Sequence, residues 1–112
     1  MYTYRAAIID VIDGDTIVAD IDLGFGVWLR KQHIRLAKIN SPELKGTTLK
    51  AAQDARDFLK KLILNKTVTI QTEKDSKEKY GRWLATVLLE EDKMLVDINK
   101  KMVAEGYAAV YK

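Results

Sequence analysis

Ile34-Arg35-Leu36-Ala37-Lys38-Ile39-Asn40-Ser41-Pro42-Glu43 is the run on which the fold turns. Ile34 and Leu36 flank Arg35 as in a half-buried strand, and the apolar parity then shifts to Ala37 and Ile39. A shift by one position predicts a bulge that re-aims the polar end of the strand. Pro42 has no N–H and biases Ser41 toward an extended conformation, so the chain is expected to turn out of a sheet there. The turn gathers a planar guanidinium fork on Arg35, suited to phosphate, with three kinds of oxygen on Asn40, Ser41 and Glu43. Taken alone, the same run also reads as an ordinary strand ending in a polar turn.

Working outward, residues 5–23 alternate as strands do, most clearly where Ile17, Ala19, Ile21 and Leu23 interleave with Val18, Asp20 and Asp22. Asp13-Gly14-Asp15 interrupts the pattern at a hairpin or sharp bend, where glycine permits a positive φ or a close backbone approach. Gly24-Phe25-Gly26 marks a second turn, and a third strand covers 27–39. After a short loop over 44–47, the spacing of Ala52, Ala55, Phe58, Leu59, Leu62 and Ile63 predicts a helix over 48–65, with Thr47 or Thr48 capping its start and Asn65 its end. A fourth strand follows over 67–71, then a charged loop over 73–79 and a fifth strand over 83–90. Asn99 is the expected N-cap of a short helix that turns Met102 and Val103 inward and stops at Gly106, and the tail from Tyr107 is extended. Five strands with a helix between the third and fourth, plus a short C-terminal helix, is the element order of a five-stranded OB-fold, an α+β β-barrel with helices.

A chain of 112 residues without a linker, repeat or low-complexity segment is expected to form one domain over 1–112. It contains no cysteine and only His33, which excludes a disulfide framework and thiolate or His-rich metal sites, so any metal is expected to be hard and oxygen-ligated. Nineteen Lys and Arg against sixteen Asp and Glu leave a net charge of +3, which permits a polyanionic partner without requiring one. Residues 2–12 alternate like a strand and do not read as a signal peptide, and the apolar runs are too short to span a bilayer. The expectation is a soluble monomer, cytoplasmic by default or secreted after loss of a leader.

The chemistry-bearing residues fall into two groups. Asp13 and Asp15 flank a glycine at a bend, so two carboxylates can converge on one hard cation, with the Asn40 amide and the Ser41 carbonyl as further oxygens. Such a low charge count implies modest affinity. Glu43 can take a proton from a water, and Arg35 and Arg82 can each present a bidentate fork to a phosphate. Each residue alone has a plainer role as a turn, loop or surface group. Together they match phosphodiester hydrolysis, in which attack in line builds negative charge on the equatorial oxygens.

Val11-Ile12-Asp13-Gly14-Asp15-Thr16, the run 34–43, Lys79-Tyr80-Gly81-Arg82-Trp83-Leu84-Ala85, and Asn99 with Met102-Val103 and Gly106 resemble, in that order, the motifs of the staphylococcal nuclease (thermonuclease) family. The resemblance implies an OB-fold and a calcium-dependent nuclease acting on DNA and RNA. By matching position, Asp13, Asp15, Asn40 and Ser41 would take Ca2+, Glu43 would be the general base or an orienting carboxylate, Arg35 and Arg82 would clamp the scissile phosphate, and Lys79 and Tyr80 would contact a terminal phosphate. Asn40 stands where the family has an aspartate, which removes one negative charge, and the loop after Glu43 is shorter than in the best-known member. The second reading is a catalytically weak or inactive OB-fold module that binds single-stranded nucleic acid or a protein. Tyr107 and Tyr111 are left between base stacking and tail packing. Trp28 and Trp83 are expected to pack, and His33 to be structural or surface-exposed.

Overall fold

Residues 2–43, 46–72 and 81–111 are described by the computed structural model. Strand β1 (Tyr2–Asp13) is long enough to serve two neighbours: residues 2–7 pair antiparallel with β5 (Thr67–Thr72) and residues 5–13 with β2 (Thr16–Gly24). Register shifts between Ile8 and Asp10 and between Val11 and Asp13 add twist, which lets one strand pass from one neighbour to the other. β3 (Val27–Leu36) pairs antiparallel with β2 and, through residues 34–36, parallel with β6 (Trp83–Glu91), which in turn pairs with β5. The ring β1-β2-β3-β6-β5 is thereby closed into a five-stranded barrel. β7 (Met94–Asp97) returns along β6, while β4 (Ile39–Asn40) pairs with β8 (Ala109–Val110) as a separate ribbon.

Helix α1 (Leu49–Ile63), entered through a 3-10 turn at Gly46–Thr48, lies between the third and fourth barrel strands, as its apolar spacing requires. Its Ala52, Ala55, Leu59 and Ile63 are buried, and Phe58 and Leu62 pack half-buried against the same core. Ile8, Ile17, Ile34, Leu36, Ile70 and Val87 fill the barrel, joined by Ile98 and Met102 of α2 (Ile98–Ala104). Each of these side chains is about 1 % exposed or less, so each stabilises the fold by roughly 1.5–3 kcal/mol of apolar burial. Among the described residues no helix is long and apolar enough to cross a membrane.

Three local expectations are corrected. The parity shift after Leu36 is not a bulge: the strand stops, Ala37 and Lys38 form a turn with Lys38 at φ 65°, and Ile39 resumes in the β4–β8 ribbon. The irregularity within β3 lies earlier, at Lys31 (φ 52°), where Asp20 accepts from the Lys31 N–H at 2.8 Å and pairs with Arg30 at 3.0 Å. Thr48 occupies the N-cap of α1, but its hydroxyl donates to the Glu43 carbonyl at 2.7 Å and makes no side-chain cap. Asn65, at φ 63°, follows the helix end in the left-handed conformation that asparagine tolerates.

The third correction concerns Asn99, which is not a cap. Asp97 caps α2 by accepting from the Lys100 N–H at 3.0 Å. Asn99 is 4 % exposed; its Oδ1 accepts from the Val87 N–H and its Nδ2 donates to the Ala37 and Ala85 carbonyls at 3.0 and 3.1 Å. The amide thus supplies hydrogen bonds where the turn leaves β3 and β6 bends past it, tying α2 to the segment that delivers Asn40 and Ser41. Tyr107 stacks on Phe58 with ring centroids 4.3 Å apart, so its role is tail packing, whereas Tyr111 is exposed.

Candidate active site

Barrel closure sets the first distances in the site. Arg35 sits opposite Thr16 in the β2–β3 ladder and opposite Leu84 in the parallel β3–β6 ladder, so the pairing that shuts the barrel also brings Arg82 beside the start of β2. Arg82 Nη1 donates to Thr16 Oγ1 at 3.4 Å. The β1–β2 turn is anchored to the same place by the Leu36 N–H, which donates to the Asp15 carbonyl at 2.8 Å.

Gly14 lets that turn come in. A Cβ at this position would stand 2.8 Å from both Ser41 Cβ and Ala55 Cβ and 3.1 Å from Ser41 Oγ. No side chain can be accommodated without moving backbone, so the glycine is required for close approach between the turn, the segment after β4 and helix α1; its φ is not in the left-handed region. The approach places the Ser41 N–H 2.9 Å from Asp15 Oδ2, which it donates to across 26 residues of chain. Asp13 Oδ1 accepts from the Asp15 N–H at 3.0 Å, and Thr16 Oγ1 donates to Asp15 Oδ1 at 3.2 Å.

The two carboxylates titrate apart. Burial pushes the Asp13 carboxyl up to about 6, with the hydrogen bond and negative charge of Asp15 adding to the rise and the Asp15 N–H and Thr16 hydroxyl opposing it. Burial also raises Asp15, but the hydrogen bond from Asp13, the Ser41 N–H, the Arg35 guanidinium and the Ser41 hydroxyl outweigh it and hold this carboxyl below its ordinary value. The pair therefore shares a proton through mildly acidic conditions, as closely placed like charges do.

Arg35 leans into the pair. Its Nη2 lies 3.4 Å from Asp15 Oδ2 and donates to Asn40 Oδ1 at 3.0 Å, while Nη1 donates to the Leu36 carbonyl at 2.7 Å. A guanidinium has five N–H groups, so these contacts aim the fork and leave donors for an incoming anion. Asn40 enters the site through this bond to Arg35, and Ser41 enters through its N–H and hydroxyl. Glu43 is exposed, two residues beyond Ser41, and its carbonyl anchors Thr48. Lys79 and Tyr80 lie outside the described residues.

Asp13, Asp15, Arg35, Asn40, Ser41 and Arg82 thus meet at one end of the barrel, with Thr16, which sequence reasoning did not single out, between Asp15 and Arg82. Its only sequence signal was adjacency to the acidic turn. Among the described residues no group of three or more His, Cys, Asp or Glu side chains could hold a metal ion, so a cation here would rely on two carboxylates plus neutral oxygens and water. The donor set still fits a hard divalent ion: every candidate ligand is oxygen, and a cation would offset the burial and the neighbouring Asp15 charge that together raise Asp13.

Residues 33–112 match the family model described as "Staphylococcal nuclease homologue". The chain is 35 % identical over 109 residues to the thermonuclease of Staphylococcus hyicus, covering 95 % of this chain and 57 % of that protein. It is 35 % identical over 101 residues to the thermonuclease of Staphylococcus intermedius, covering 88 % and 54 %. Endonuclease YhcR of Bacillus subtilis strain 168 is 27 % identical over 117 residues, covering 96 % of this chain and 9 % of that protein. The chain spans little more than half the length of either thermonuclease.

Proposed function

The chain belongs to the family of staphylococcal nuclease homologues, and from that membership and the geometry of the carboxylate–arginine cluster we propose that it is a metal-dependent nuclease hydrolysing phosphodiester bonds in DNA or RNA. The single observation that supports this most is the meeting of Asp13, Asp15, Arg35 and Arg82 at one end of the barrel, through the Ser41–Asp15, Arg35–Asp15 and Arg82–Thr16 contacts.

In this reading Asp13 and Asp15 hold a calcium ion, with oxygens of Asn40 and Ser41 beside them. When bound, the ion supplies a Lewis-acidic contact and neutralises charge on the phosphate. The chain's own groups do the rest. Arg35, held from behind by Leu36 and Asn40, and Arg82, held by Thr16, donate hydrogen bonds to the non-bridging oxygens, where negative charge grows as a water oxygen attacks phosphorus. The P–O bond to the departing sugar oxygen breaks as the new P–O bond forms, and the departing oxygen takes its proton from solvent water. Glu43 takes a proton from the attacking water or orients it. By the family resemblance Lys79 and Tyr80 would contact a terminal phosphate.

The test is incubation of the purified chain with plasmid and with single-stranded DNA in calcium, in magnesium and in EDTA. Degradation in calcium that stops with EDTA, and that falls about a hundredfold or more in Arg82→Ala, is the expected outcome, since a lost preorganised donor costs on the order of 3 kcal/mol. Retention of DNA in a gel shift without cleavage would instead support the non-catalytic OB-fold module, which the weak two-carboxylate ligand set and the engagement of Asn40 with Arg35 favour.

A further inference from the structure

Thr16 is 4 % exposed at the first position of β2, facing Arg82, which lies 66 residues later and just before β6. Its hydroxyl is used in both senses: it donates to Asp15 Oδ1 at 3.2 Å and accepts from Arg82 Nη1 at 3.4 Å. One oxygen thus links the carboxylate side of the site to the guanidinium side. A neutral hydroxyl steers the guanidinium it accepts from without itself cancelling that group's charge. Arg35 is held by Asp15 itself and by Asn40.

We infer that Thr16 is a positioning residue for the proposed reaction: its hydroxyl sets the distance and orientation of Arg82 relative to the Asp13–Asp15 pair. It touches neither phosphate nor water in this role and acts through Arg82. The inference rests on the nuclease reading for its kinetic consequence, but not for the physical tether, which exists whether or not the chain cleaves anything.

The experiment compares Thr16→Val, which keeps the branched shape and strand preference but removes the hydroxyl, with Thr16→Ser, which restores it. Each variant is first checked for a wild-type-like thermal transition. In calcium and single-stranded DNA, Thr16→Val is expected to lower kcat about tenfold with KM changed less than about twofold, because the lost aim matters where charge develops, and Thr16→Ser is expected to recover to within about threefold of wild type. The second readout is hydrogen exchange of the Arg82 Nη protons by NMR, since Nη1 is the donor to Thr16. It is expected to accelerate several-fold in Thr16→Val and not in Thr16→Ser. Wild-type kcat in Thr16→Val, or no recovery in Thr16→Ser, would overturn the inference where wild type cleaves. If wild type does not cleave, the nuclease reading fails by itself, and unchanged Arg82 exchange in Thr16→Val would then overturn the tether.

Discussion

Gly14→Ala converts the close approach at the site into a measurable penalty. The added Cβ would meet two other Cβ atoms at 2.8 Å, and neither can rotate away, because both are fixed to backbone, one in helix α1 and one beside Pro42. Reaching ordinary contact needs a shift of at least about 0.6 Å against both. Overpacking of this kind costs roughly 1–3 kcal/mol, offset by about 0.4–1 kcal/mol from the stiffer unfolded chain. The net loss of about 1–2 kcal/mol should lower the thermal midpoint by about 4–10 °C at this chain length, measured by circular dichroism in EDTA and by urea unfolding. Because the Ser41–Asp15 hydrogen bond of 2.9 Å spans the widened gap, DNA cleavage should fall further, about tenfold to a hundredfold. Ala55→Gly removes one of the two obstacles, so the double variant should be at least about 1 kcal/mol more stable than the sum of the singles. A Gly14→Ala midpoint within about 2 °C of wild type, or strict additivity with Ala55→Gly, would refute the crowding on which the site's assembly depends.

Asn99→Ala strips partners from the Val87 N–H and the Ala37 and Ala85 carbonyls, and should cost about 2–5 kcal/mol in urea unfolding, more than any surface substitution. In EDTA, Asp13→Asn should melt a few degrees above wild type at about pH 7.5 and equal to it at about pH 3.5: a carboxyl raised from 3.8 to about 6 stabilises the fold below its unfolded value and loses that contribution as pH rises through its folded one. Asn40→Asp should tighten calcium binding in isothermal titration by adding a carboxylate, and unchanged affinity would show that residue 40 serves only Arg35. Arg35→Lys should lower kcat about tenfold or more, because an ammonium cannot hold Leu36 and Asn40 while presenting a fork; wild-type turnover would remove Arg35 from the phosphate clamp.

The barrel was legible because its signals are local and repeated. Alternation over β2, glycine turns at 14 and 24–26, and the apolar stripe of α1 each admit one element, and their order admits few folds. The gathering of Asp13, Asp15, Arg35, Asn40, Ser41 and Arg82 was legible only through the ordered motifs, since nothing in the spacing of residues 16 and 82 says that they touch. The turn at Ala37–Lys38 was misread as a bulge because a lysine at φ 65° leaves no mark in apolar parity. Asn99 was misread because a cap and a buried bridge use the same side chain, and the bridge is decided by carbonyls on strands far away in sequence. Thr16 looked like an ordinary strand residue until β6 brought Arg82 to it.

The proposed chemistry rests on one hard ion lodging between Asp13 and Asp15, and amide NMR during a calcium titration observes that directly. The Asp15 N–H, bound to Asp13 Oδ1, and the Ser41 N–H, bound to Asp15 Oδ2, report on the two carboxylates separately. The expected result is that both resonances move together, saturate at one ion per chain in the millimolar range, and stay still in Asp15→Asn. Resonances of Asp15 and Ser41 that do not move at calcium concentrations supporting cleavage would contradict it.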